Sequence, residues 1–176
     1  FEKKYQRIDW DATAAEKNGY PDFMLKEMYE QPSTVRETIG TRVTAGAPTQ
    51  VDGLDFTAAQ LQNLHQIYII GCGTAMHAGL AAKPMFEHLT HIPTQVDVAS
   101  EFRYRDPLVA DRTLCIFISQ SGETADTIAA LRLAKAAGAA TLAVSNVIGS
   151  SITREADYTV YTHAGPEIAV ASTKAY

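Results

Sequence analysis

A three-layer α/β/α sandwich around a mainly parallel sheet of about five strands is the fold this sequence predicts, on three observations. The strand candidates are continuous apolar runs rather than alternating ones, the pattern of strands covered on both faces. Helical segments separate them, so successive strands are joined by right-handed crossovers and lie parallel. The 176 residues, 46% hydrophobic and 20% charged, suffice for one substantial core plus an appended segment.

Taken in order, the first fifty residues differ in texture from the rest. They are polar and broken by Pro21, Pro32, Gly40, Gly46 and Pro48. Asp22 is placed to cap an amphipathic run containing Phe23, Met24 and Met28, which the sequence ends near Pro32. A second run carries Val35, Ile39 and Val43 on one helical face. Thr44 to Gly53 reads as a turn-rich connection. Residues 1–52 are therefore expected to be a linker and helical arm, and residues 53–176 the α/β domain.

Within that domain Ala58 to Leu64 is a short helix, and Ile67 to Gly71 an apolar strand leading through a glycine-bearing loop. A helix from about Ala75 to Leu89 follows, then a strand at Thr94 to Val98. Thr113 to Ser119 is a wholly apolar strand, followed by SQSGET and a helix from Thr124 to Ala137. Ala140 to Ser145 and Tyr158 to Thr162 are the last strands, with a short helix between them at Ser151 to Ala156. A further helix is expected to begin in STKAY, cut short at Tyr176.

Composition excludes several function classes. Lys+Arg 15 against Asp+Glu 20 gives a net charge of -5, which argues against a general nucleic-acid binder. Two cysteines, Cys72 and Cys115, and five histidines show no metal-ligand spacing and no disulfide framework. The cysteines read as packing residues in a reducing compartment. No apolar stretch approaches the ~18 residues of a membrane span. The opening FEKKYQRIDWD has no signal-peptide core, so a cytoplasmic protein is expected, with no metal and no cofactor.

Two loops follow strands and open helices, the position where parallel sheets bind ligands. Ser119-Gln120-Ser121-Gly122-Glu123-Thr124 offers three hydroxyls, an amide and a permissive glycine at a helix N-terminus. Backbone N–H groups and the positive end of the helix dipole favour an anion there, and a phosphate monoester suits that donor set. A single helix cap needs one hydroxyl, not three. No lysine follows the glycine, which excludes a triphosphate-binding P-loop. Glu123 would repel a phosphate and is expected to point away.

Gly71-x-Gly73 is half of a dinucleotide fingerprint, with Met76 where the third glycine would stand, so a nicotinamide cofactor is not expected. Arg103 and Arg105 are expected in ion pairs with Glu101 or a partner subunit. His77 is expected on a helix surface, and Lys174 at the entry to a helix. Val170, Ser172 and Thr173 follow the last strand and can face the same crevice.

MLKEMYEQP (Met24 to Pro32), ASEFRYR (Ala99 to Arg105), SQSGETADT (Ser119 to Thr127) and EIAVASTKAY (Glu167 to Tyr176) together resemble the isomerising glutamine–fructose-6-phosphate aminotransferases, or glucosamine-6-phosphate synthases. SQSGET alone resembles the wider sugar isomerase (SIS) family. The resemblance runs from about Phe23 onward and implies a flavodoxin-like SIS domain. It implies sugar-phosphate contacts at Thr74, Ser119, Gln120, Ser121 and Thr124, with Val170 and Ser172 along the sugar.

It further implies, as partners, a glutaminase domain and a second SIS domain in a parent chain that forms a homodimer and makes glucosamine 6-phosphate. Many family members have CGTS where this chain has Cys72-Gly-Thr-Ala75, so one serine hydroxyl is missing beside the sugar. The family's acid, base and Schiff-base groups fall outside these residues. No catalytic residue is therefore assigned, and the chain by itself is expected to bind rather than turn over. A sugar-phosphate-sensing regulator is disfavoured because residues 1–50 contain no basic cluster. A stand-alone phosphosugar isomerase would need Glu101, Glu123 or Glu167 as base.

Overall fold

The computed structural model describes residues 15–43, 46 and 51–176, except the side chain of Thr41. Most of the Thr44 to Gly53 connection and the first fourteen residues thus lie outside the described residues. Five parallel strands, β1 (Gln66–Gly71), β2 (Thr94–Val98), β3 (Thr113–Ser119), β4 (Ala140–Ser145) and β5 (Tyr158–Tyr161), form one sheet in the order β2-β1-β3-β4-β5. This is the flavodoxin-like order, in which the winding direction reverses between β1 and β3. The helices are α1 (Phe23–Ile39), α2 (Ala58–Gln62), α3 (Thr74–Thr90), α4 (Ala99–Tyr104), α5 (Ala125–Ala136) and α6 (Ser151–Glu155), with a 3-10 turn at Gly40–Arg42.

Each central strand feeds two cores. Tyr68 and Ile70 of β1 join Cys115 and Phe117 of β3 beneath α4, α5 and α6, packed with Phe102, Leu131 and Ile152. Ile67 and Ile69 join Leu114, Ile116 and Ile118 on the other face, against Ala75, Ala82 and Phe86 of α3 and against Phe56 and Leu64. The two-residue side-chain period of a strand, with both faces covered, explains why the sequence shows unbroken apolar runs. The register sets Gly71 beside Ile118 and Ser119 beside Ser145, so the loops after β1, β3 and β4 leave the sheet at one level.

The structure corrects the sequence expectations in the arm, after β2 and at the end of the chain. Pro32 does not end a helix: α1 runs through it to Ile39. Proline removes one intrahelical hydrogen bond, yet tertiary contacts on both sides of it, made by Glu27 and Thr34, hold the helix. The face of α1 that packs on the domain is polar. Lys26, Glu27 and Thr34 are buried, whereas Met24, Met28, Val35 and Ile39 are exposed.

ASEFRYR contains a helix, α4, whose six residues are too few to show a helical period in the sequence. Phe102 anchors it, edge-on to Tyr68 with ring centroids 5.5 Å apart. Its arginines pair with Asp126 (Arg103, 2.8 Å) and Asp97 (Arg105, 2.5 Å), not with Glu101. Finally, residues 162–176 form no helix. Lys174 is buried, and its ammonium meets Glu30 of α1 at 2.6 Å.

Candidate functional site

The carboxyl ends of β1 and β3 open into a cleft of about 480 Å³ at the reversal point of the sheet. Three segments wall it: Cys72 to His77, Ile118 to Thr127, and Glu167 to Tyr176. All seven residues singled out from the sequence, Thr74, Ser119, Gln120, Ser121, Thr124, Val170 and Ser172, line this one cleft. A slightly larger cleft, about 520 Å³, lies at the amino ends of the strands between α2 and the start of β5. It contains none of those residues. The chemistry of the molecule is concentrated at the other end.

The 119–124 loop is held in place by its own hydroxyls. Ser119 Oγ accepts the Gly122 N–H at 3.1 Å and sits 3.4 Å from Thr124 Oγ1. Ser121 Oγ accepts the Glu123 N–H at 3.2 Å. From outside, the Gln120 carbonyl accepts Asn146 N–H at 3.2 Å, and the Gly122 carbonyl accepts Ile152 N–H at 3.0 Å. Gly122 has φ of +67°, and a Cβ there would stand 2.0 Å from Ser150 Oγ, so only glycine fits. Gly71 is required for a related reason: a Cβ would press to 3.0 Å on both Ala75 Cβ and Met76 N.

Neither helix that opens on the cleft is capped by a side chain. Thr124 stands at the N-cap of α5 and Gly73 at that of α3, and neither makes a side-chain cap. The hydroxyls of Ser121 and Thr124 are therefore not consumed as caps, and two helix N-termini face the cleft. Glu123 turns away, as expected: its carboxylate accepts the Ser151 N–H at 2.7 Å. Hydrogen bonding to Ser151 holds that carboxyl below its ordinary range. Among the described residues no lysine or arginine lines the cleft. Any anion held there would be met by dipoles, N–H groups and hydroxyls rather than by a full positive charge.

The third wall is organised by Glu167. Its carboxylate accepts Ser172 Oγ–H at 2.6 Å, Thr173 N–H at 2.7 Å and Lys174 N–H at 3.1 Å. With its proton committed to Glu167, Ser172 Oγ presents lone pairs to the cleft. Val170 is fully exposed at the mouth.

Tyr176 was not foreseen from the sequence, where an isolated tyrosine carries no signal. Its hydroxyl accepts the Gln120 N–H at 2.8 Å and joins the 119–124 loop to this wall. Burial pushes its phenol up to about 12. Cys72 lies 3.7 Å from Thr127 Oγ1, half-buried in the cleft, while His77 is exposed at its rim. Cys115 is buried in β3, and burial pushes its thiol up to about 12.

A doubly wound parallel domain with its ligand crevice at the switch point is the class this fold and cleft define. A family model for the SIS domain matches residues 60–176, and the chain belongs to that family. It is 58% identical over its whole length to a glutamine–fructose-6-phosphate aminotransferase [isomerizing] of Clostridium acetobutylicum, and 54% identical to that of Clostridium tetani. The chain spans 29% of the length of each of these relatives.

Among solved structures, the C-terminal domain of glucosamine-fructose-6-phosphate aminotransferase from Francisella tularensis superposes with a TM-score of 0.82 at 44% identity. It covers 92% of this chain and 45% of that one. A glucosamine-6-phosphate deaminase of Thermotoga maritima shares the fold alone, with 18% identity and a TM-score of 0.62 over 80% of this chain and 40% of that one. Among the described residues no helix is long and apolar enough to cross a membrane.

Proposed function

We propose that this chain binds fructose 6-phosphate and glucosamine 6-phosphate, as an SIS domain of an enzyme that transfers glutamine nitrogen to the sugar. One observation carries the reading: the hydroxyl-rich 119–124 loop, two helix N-termini without side-chain caps and the 167–176 wall converge on one cleft. In this reading the phosphate sits against Ser119, Gln120, Ser121, Thr124 and Thr74, where N–H groups and hydroxyls supply its donors. The open-chain sugar then runs along Val170 and Ser172. The names of the similar proteins from Clostridium and Francisella support the same substrate class.

The division of labour follows from the chemistry. Ring opening and the shift of a proton between C1 and C2 need an acid and a base of tuned pKa. Glu167, among the described residues the one carboxylate lining the cleft, is committed to three hydrogen bonds inside its own loop. The chain thus holds and orients substrate. The proton-transfer and Schiff-base groups come from a second SIS domain or a second subunit of a cytoplasmic homodimer, and ammonia from a glutaminase domain. Residues 53–176 form the binding domain and residues 1–52 its linking arm.

Calorimetric titration tests the reading. The chain is expected to bind fructose 6-phosphate and not fructose, and the triple variant Ser119→Ala, Ser121→Ala, Thr124→Ala to lose that binding while keeping its fold. Equal affinity for both sugars, or an unchanged affinity in the triple variant, would sink it.

A further inference from the structure

We propose that Glu27, on the arm and outside the cleft, is a positioning residue that sets the sugar end of the site. This rests on the sugar-phosphate reading above and adds a part of the chain that reading does not use. Glu27 is 1% exposed. Its carboxylate accepts the Ile168 N–H at 2.6 Å and the Ala169 N–H at 3.2 and 3.3 Å, across about 140 residues of sequence. These two amides immediately precede Val170.

The contact is one part of a continuous clamp. Successive turns of the same helix face add Glu30, which meets Lys174 Nζ at 2.6 Å, and Gln31, whose amide donates to the Thr173 carbonyl. Thr34 follows, its hydroxyl donating to the Lys174 carbonyl at 3.3 Å. Residues 27, 30, 31 and 34 recur at helical spacing, and they bracket the wall segment on both sides of Val170 and Ser172. This accounts for Glu27, Glu30 and Gln31 of MLKEMYEQP, which the cleft itself leaves unexplained.

The need for such a clamp is physical. Residues 162–176 have no helix, and their N–H groups must be satisfied from elsewhere. Two carboxylates satisfy the four that flank Val170 and Ser172: Glu167 from within the loop takes those of Thr173 and Lys174, and Glu27 from the arm those of Ile168 and Ala169. Hydrogen bonds to a charged acceptor are the stronger kind, and an N–H left without one is costly. Among the described residues the 119–124 loop makes no hydrogen bond to α1; its bonds run to α6, to β4 and the β4–α6 loop, and, through the Gln120 N–H, to Tyr176, well past the clamped amides of Ile168 and Ala169. Glu27 should therefore govern the sugar-contacting wall and leave the phosphate cradle alone.

That asymmetry gives the test. Glu27→Ala and Glu27→Gln are compared with the unmodified chain by titration with fructose 6-phosphate and with inorganic phosphate, and by amide hydrogen exchange. In Glu27→Ala, affinity for fructose 6-phosphate should fall by about tenfold or more, with phosphate affinity within about twofold. Exchange at Ile168 and Ala169 should accelerate by about tenfold, with the amides of β1 and β3 unchanged. Glu27→Gln keeps one acceptor oxygen and should fall between.

Unchanged fructose 6-phosphate affinity and exchange would overturn the proposal. So would a parallel loss of both ligands, or faster exchange in the sheet, since either would make Glu27 a general stability residue. If the unmodified chain binds no fructose 6-phosphate, the sugar reading fails instead, and exchange at Ile168 and Ala169 alone decides for or against the clamp.

Discussion

At the scale of single residues, position relative to the cleft separates groups that look alike in the sequence. The two cysteines are the simplest case. Cys115 lies between two helical layers, and its thiol, pushed up to about 12, stays protonated and inaccessible at ordinary pH. Cys72 is half-buried on the cleft wall. Iodoacetamide at pH 8 is therefore expected to label Cys72 and not Cys115 in the native chain. Fructose 6-phosphate should slow that labelling several-fold, read by peptide mass. Labelling of both cysteines at equal rates would contradict the packing described. Glu123 and Glu167 divide in the same way: one caps α6 and faces away, the other folds the wall of the site. The sequence already turns Glu123 away from an anion, whereas the wall-folding role of Glu167 is visible only in the structure.

At the scale of elements, the joints between strands and helices are made by polar side chains with several partners. Asp157 immediately precedes β5 and accepts from the Thr141 N–H at 3.0 Å and the Thr141 hydroxyl at 2.7 Å, while Lys135 of α5 stands 2.7 Å away. Burial pushes its carboxyl up, but the bonds from Lys135 and Thr141 outweigh this and hold it below its ordinary value of 3.8. A depressed carboxyl stabilises the fold above its unfolded pKa, and that stability is lost as pH falls through the folded one. Asp157→Ala should cost about 1–3 kcal/mol at neutral pH, because Thr141 is fully buried and loses its partner. The gap to the unmodified chain, measured by urea denaturation, should narrow below pH 3.8. A gap that is constant with pH would mean that the charge on Asp157 contributes nothing.

At the scale of the whole molecule, binding and folding are linked. A ligand that occupies only the folded cleft stabilises by about 2.7 kcal/mol at a hundred times its dissociation constant. Fructose 6-phosphate at that excess should raise the melting temperature of the chain by several degrees. Fructose should not, nor should either sugar in the Ser119, Ser121, Thr124 triple variant. The sequence by itself determined the sheet, because strands covered on both faces must be apolar throughout and their helices must cross over. It also singled out the 119–124 loop, because three hydroxyls beside Gly122 at a strand-to-helix turn exceed what one helix cap needs. Local pattern could not show α4, which is too short to be periodic, or the passage of α1 through Pro32, where local propensity says stop. Those, together with the burial of Glu27 and Lys174 and the role of Tyr176, were decided by the tertiary structure. Each depends on a partner far along the chain, and a side chain's chemistry names the kind of partner it needs without saying where that partner lies.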